Sequence, residues 1–161
     1  MTEESERGIL EVSPAERASL EPILEESFEG WYLRHSRKTL HEISTVKAVW
    51  VDGKPAGLAM LKTLDSDAGY VYYIAVARAH RRKGLASRLL DDALSYFSAL
   101  GSRTVYASVE NEESVSLFSS KGFRRTNFGE LSKKHGLLGA ISMYRGMVAV
   151  PGEVLLLKDL T

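Results

Sequence analysis

The chain has 161 residues, 44 % apolar and 26 % charged, an ordinary composition for a folded domain, so a single domain over 1–161 is expected. Lys+Arg (21) equals Asp+Glu (21), which argues against a general nucleic-acid binder, whose affinity comes from excess positive charge. There is no cysteine, so disulfides, thiolate nucleophiles and Cys-ligated zinc are excluded. No metal site is expected, and a cytoplasmic location fits this composition.

In chain order, "MTEESERG" lacks the basic and apolar regions of a secretory signal. "ILEV" (9–12) reads as a short strand. Ser13 is placed as an N-cap, with Pro14 at the first helical position and Glu16 completing a capping box. A helical region is expected to about residue 28, kinked or split at Pro22. "GWYLRHSRKTLHE" (30–42) reads as another helix. "TVKAVWV" (45–51), "AGLAMLKT" (56–63) and "YVYYIAV" (70–76) read as an antiparallel meander, turned at Asp52-Gly53 and at "DSDAG" (65–69).

Leu85, Leu89, Ala93 and Phe97 then recur every four residues on one helix face, ahead of Gly101 as a C-cap. "RTVYASV" (103–109) is a strand, and "EESVSLFSSK" (112–121) a helix capped by Asn111 and stopped by Gly122. The last strands are assigned to "FRRTNFGE", "ISMYRGMVAV" and "EVLLLKD"; residues 131–140 receive no assignment. "EVLLLKD" is an apolar edge candidate, which makes a homodimer conceivable. The apolar runs "GLAML" and "VLLL" are too short to span a bilayer, so no membrane partner is expected.

The densest chemistry is "HRRKGLAS" (80–87), where positive charge meets a glycine at a helix start. Backbone N–H groups there lack helical partners, and the helix dipole favours an anion. Gly84 permits close backbone approach. The plainer reading is a basic solvated helix start.

"IAVARAHRRKGLASRLLDDAL" (74–94) resembles the acetyl-CoA-binding segment of the GNAT acetyltransferase superfamily: a strand ending in a small apolar triplet, a loop, then R/Q-x-x-G-x-G/A opening a helix. A second family element, a strand, an Asn and a short helix ending in "GF", is matched by "YASVENEESVSLFSSKGF" (106–123). The resemblance covers roughly residues 45–128. It implies a mixed α/β fold with a mostly antiparallel central sheet and helices on both faces. It also implies acetyl-CoA as co-substrate. Ile74, Ala75 and Val76 would pair with the pantetheine arm, and Arg81, Arg82, Lys83, Gly84, Leu85, Ala86 and Ser87 would hold the pyrophosphate. Asn111 and Phe118 would complete the site.

The activity implied is direct attack of a primary amine on the thioester, assisted by a base, by a backbone N–H at the oxyanion and by orientation. At the two positions where relatives carry a carboxylate base, this chain has Tyr70 and Tyr106. Tyr70 and Tyr72 share a strand face and are the catalytic candidates; the alternative is that they pack the sheet. His35, His41, His80 and His135 are bases by chemistry alone, and spacing ranks none above another; Glu110 and Glu112 flank Asn111 but read equally as helix-start carboxylates. Phe118 stands where many relatives carry a Tyr that protonates the departing thiolate, leaving water, Tyr72 or Ser114 for that proton. Phe28, Trp31 and Tyr32 would lie near a small-molecule or peptide amine acceptor. A non-catalytic acyl-CoA sensor is the alternative function, and duplex binding a weaker third.

Overall fold

The computed structural model describes residues 8–65, 67–147 and 152–160. Most of the acidic N-terminal stretch, Ser66 of the second turn and the end of "ISMYRGMVAV" lie outside these residues. The strands are β1 (Leu10–Glu11), β2 (Thr45–Val51), β3 (Lys54–Asp65), β4 (Ala68–Val76), β5 (Thr104–Val109), β6 (Arg124–Arg125) and β7 (Val154–Asp159). The helices are α1 (Glu21–Ser27), α2 (Gly30–Glu42), α3 (Leu85–Ala99), α4 (Glu112–Ser120), α5 (Phe128–His135) and α6 (Leu137–Met147). Two 3-10 segments, Pro14–Leu20 and Arg78–His80, precede α1 and α3. The strands form a seven-stranded sheet in the order β1-β2-β3-β4-β5-β7-β6. Its β4–β5 ladder is parallel, while β1–β2, β2–β3, β5–β7 and β6–β7 are antiparallel. This is the mixed, mostly antiparallel sheet that the sequence led us to expect.

The chain divides into two compact units, Met1–Lys62 with Tyr73–Ala93, and Thr63–Tyr72 with Leu94–Thr161. In the first unit, Pro22 sits in the first turn of α1, and the helical region splits there as its missing N–H requires. The capping box does not form as drawn. Ser13 Oγ donates to the Glu16 carboxylate at 3.0 Å, and the Glu16 N–H is taken by the Ser13 carbonyl, closing a 3-10 turn. Arg17 is 2 % exposed, and its guanidinium donates to the carbonyls of Val12 (3.3 Å), Leu40 (3.1 Å), Ile43 (2.5 Å) and Ser44 (3.2 Å). It thereby satisfies carbonyls at the end of α2 that have no helical donor. Burial lowers its pKa from the usual arginine value, opposed by Glu11. A buried apolar group joins Val49 and Ala56 to Leu85, the first residue of α3.

In the second unit, Gly101 (φ 85°) ends α3, with Ser102 N–H closing on the Phe97 carbonyl at 3.0 Å. The core gathers Ala68, Tyr70 and Tyr106 with Leu131 of α5 and Ala140, Met143 and Met147 of α6. Phe128–His135 and Leu137–Met147 are thus helical, where the sequence pattern suggests strands for part of them. Gly136 (φ 79°) separates the two helices, and apolar residues at 140, 143 and 147 have helical spacing, which the apolar richness of "ISMYRGM" disguises. β7 is not an edge either: it lies between β5 and β6, so the dimer expectation loses its motive.

Candidate active site

The C-terminal part of β4 leads into the basic loop, all within the first unit. The ladder between β4 and β5 ends at the pair Val71–Ala107, and β4 runs on past it from Tyr72 to Val76. Ala77 N–H donates to the Ala56 carbonyl at 2.7 Å, holding the loop to β3. The chain then passes through a left-handed Arg82 (φ 64°) and a left-handed Gly84 (φ 80°) before α3 begins. A non-glycine residue in that region costs roughly 1–2 kcal/mol, so the loop shape is imposed by its surroundings.

A Cβ added at Gly84 would meet no protein atom within 4 Å. Internal packing therefore does not require the glycine; the left-handed backbone does, and the open space leaves the backbone accessible. Arg88 N–H is the first in α3 to reach back to Gly84, at 3.0 Å, so the N–H groups of Leu85, Ala86 and Ser87 have no helical acceptor. Leu85 is buried and anchors the helix, while Arg82, Lys83 and Gly84 are exposed. This arrangement fits a pyrophosphate: donors at the helix start, a backbone surface without a side chain, and two cations beside it.

Arg81 is placed differently from its neighbours. Its Nε donates to the Val76 carbonyl (3.0 Å), and its Nη2 to the Glu26 carbonyl (3.1 Å) and Ser27 Oγ (3.4 Å). The Glu26 carboxylate in turn accepts the Arg78 N–H at 2.9 Å. The end of α1 is thereby latched to the β4–α3 loop.

Directly after that latch comes an aromatic group in the same unit. Phe28 lies 5.1 Å from Tyr73, and Trp31 stacks on His35 at 4.5 Å with 10° between the planes. Tyr32 lies 6.4 Å from Phe28 and 5.2 Å from Trp31. His35 Nδ1 is 3.0 Å from the Tyr73 hydroxyl. Sequence spacing gave no hint of this pair, because its members are 38 residues apart.

The other candidates belong to the second unit. Tyr70 is buried and donates its hydroxyl to the Met147 carbonyl at 3.2 Å, and Tyr72 packs edge-on against it at 5.3 Å. Tyr106 is fully buried with its hydroxyl 2.8 Å from His135 Nε2. Burial, reinforced by Asp159 and Asp67 and opposed by Arg124, pushes the Tyr106 pKa up to about 12. Asn111 Oδ1 accepts the Ser114 N–H at 2.8 Å, an N-cap on α4. Phe118 is buried edge-on against Phe123 at 5.0 Å. Glu112 faces Arg125 at 3.1 Å, and in the first unit His41 faces Glu21 at 2.8 Å. The structure thus brings Ile74–Val76 and Arg81–Ser87 together in one unit, and sets Tyr70, Tyr72, Asn111 and Phe118 in the other.

Residues 11–123 match the family model described as Acetyltransferase (GNAT) family, and the chain belongs to that family. It is therefore an acetyltransferase, with acetyl-CoA as its co-substrate. No curated protein matches the sequence. Among solved structures, it is similar to the ribosomal-protein-S18-alanine N-acetyltransferase from Escherichia coli, with 16 % identity over 96 % of this chain and 94 % of that one and a TM-score of 0.71. It is also similar to Ard1 from Thermoplasma volcanium (19 % identity, 98 % and 99 % covered, TM-score 0.71). A third is Rv2747 from Mycobacterium tuberculosis, solved in complex with CoA and NLQ (17 % identity, 96 % and 100 % covered, TM-score 0.67). At these identities the likeness shows the fold. Among the described residues, no helix is long and apolar enough to cross a membrane.

Proposed function

We propose that the chain is an N-acetyltransferase that moves the acetyl group of acetyl-CoA to a primary amine by direct attack, acting as one domain in the cytoplasm. The observation that carries the cofactor assignment is the space at Gly84, where an added Cβ meets nothing within 4 Å beside a helix start whose first N–H groups have no helical acceptor. Leu85, Ala86 and Ser87 donate to the pyrophosphate, Arg82 and Lys83 add charge, and Arg81 holds the loop in shape. Ile74, Ala75 and Val76 offer strand edge to the pantetheine arm. A backbone N–H near the end of β4 then stabilises the developing oxyanion. Asn111 and Phe118 act on the α4 side, Asn111 through its cap and Phe118 through ring packing. Tyr70 and Tyr72 line the sheet, and water, Tyr72 or Ser114 supplies the proton for the departing thiolate.

Free-thiol release from acetyl-CoA across a panel of primary amines tests this. Release with any amine supports the enzyme. Tight acetyl-CoA binding with no release across the panel supports the second reading, a non-catalytic sensor, which the tyrosines at the two carboxylate positions motivate.

A further inference from the structure

We infer that Tyr73 and His35 form the proton-accepting pair that activates the amine; this rests on the transferase reading above. Four observations carry it. Tyr73 precedes the triplet Ile74–Val76 by one residue, about 3.3 Å along the strand. Its hydroxyl is 3.0 Å from His35 Nδ1. The His35 ring is held by stacking on Trp31 at 4.5 Å, and the Tyr73 ring by Phe28 at 5.1 Å. All four rings are half-buried or exposed, so an amine approaching β4 can reach them.

A second tyrosine–histidine contact among the described residues, Tyr106 with His135, does not suit this work. Tyr106 is fully buried, and its hydroxyl resists ionisation. Tyr70 is also buried, with its hydroxyl on the Met147 carbonyl.

Near neutral pH an alkyl amine is protonated, with a pKa near that of lysine, about 10.4. It must lose a proton before its lone pair can attack. With the Tyr73 O–H donating to His35 Nδ1, the phenol oxygen offers a lone pair to the ammonium. One proton passes from the ammonium to Tyr73 Oη as the phenolic proton passes to His35 Nδ1. Tyr73 ends neutral, and His35 becomes imidazolium. The free amine then attacks the thioester carbonyl carbon. The C–N bond forms, the C–S bond breaks, and the sulfur leaves with the electron pair. The second nitrogen proton goes to the thiolate, and His35 releases its own to solvent. The net products are amide, thiol and one proton. The aromatic faces of Phe28 and Trp31 attract the incoming cation before it is deprotonated.

The test compares acceptors that need a base with one that does not. Hydroxylamine is uncharged at neutral pH and attacks without prior deprotonation. Acetyl transfer is measured for the parent, His35→Gln and Tyr73→Phe, with hydroxylamine and with whichever of phenylethylamine, spermidine, lysine and an alanine-leading peptide reacts fastest. Glutamine keeps a hydrogen bond to Tyr73 but takes no proton, and phenylalanine keeps the ring. The expected result is a loss of roughly 10²–10⁴-fold in kcat/KM on the alkyl ammonium acceptor in both variants. Turnover of hydroxylamine should change by less than about threefold, with acetyl-CoA binding unaltered. Equal loss on both acceptors, no loss on either, or loss of acetyl-CoA binding in both variants would overturn the assignment. A parent that binds acetyl-CoA yet acetylates none of these amines would instead overturn the transferase reading itself.

Discussion

The guanidinium of Arg81 donates to the main-chain carbonyl of Glu26 at 3.1 Å, across 55 residues of sequence. With its second donation to Val76, this side chain joins the end of α1, the end of β4 and the loop before α3. The first arginine of the basic run therefore shapes the loop that we propose holds the cofactor, where the exposed Arg82 and Lys83 would supply charge. The two roles separate by salt. Arg81→Ala should lower acetyl-CoA affinity to a similar degree at low and high ionic strength, because it loosens the loop. Arg82→Ala should lower affinity at low salt and approach the parent at high salt, because screening removes what that charge contributes. Titration calorimetry at two salt concentrations checks both.

Arg17→Met should destabilise the chain by about 3 kcal/mol. The variant keeps volume but leaves buried carbonyls at the end of α2 without donors. Urea denaturation of the two proteins gives the difference.

Gly69→Ala should also destabilise, by roughly 1–3 kcal/mol, since an added Cβ would fall on the Phe97 ring. The cost should shrink in the double variant Gly69→Ala/Phe97→Leu, relative to Phe97→Leu alone. A thermal-melt double-mutant cycle measures that coupling.

Stability should fall at both extremes of pH for separate reasons. The Tyr106 pKa is raised in the folded state to about 12. Its stabilising contribution is complete below the unfolded value, about 10, and is lost as pH rises through 12. Tyr106→Phe should flatten that alkaline loss. The Asp159 pKa is lowered, chiefly by the hydrogen bond from Lys134 at 2.9 Å. Its contribution is present above the unfolded carboxylate value and lost as pH falls through the folded one. Melting temperature followed against pH for the parent, Tyr106→Phe and Asp159→Asn resolves the two limbs.

Local signals read well where the residue pattern itself determined the backbone. Pro22 divided the first helical region, Asp52-Gly53 turned the hairpin, and Asn111 capped α4. The four-residue repeat from Leu85 to Phe97 gave the buried face of α3. Residues 128–147 were misread because short apolar stretches suit a strand or a buried helix equally, and only contacts with Tyr70 and Tyr106 decide between them. Long-range polar contacts were not legible at all. Nothing near Arg17 in sequence shows that it will meet Leu40 and Ile43, and nothing near His35 points to Tyr73. The glycine and the basic run of the candidate site were visible because one short segment carries them. The pairing of His35 with Tyr73 was not, because the two come from a helix and a distant strand.

The most direct test of the cofactor assignment is acetyl-CoA stabilisation of the parent and of Gly84→Val. Gly84 has a left-handed backbone and open space around it, so valine should strain the loop by roughly 1–2 kcal/mol while clashing with no protein atom. The variant should fold with a modestly lower Tm. A ligand that binds only the native state raises Tm by mass action, so acetyl-CoA should raise that of the parent. In Gly84→Val the shift should vanish, because the valine side chain occupies the space a pyrophosphate needs. A folded Gly84→Val protein with the same acetyl-CoA shift as the parent would contradict the account and place the phosphates elsewhere.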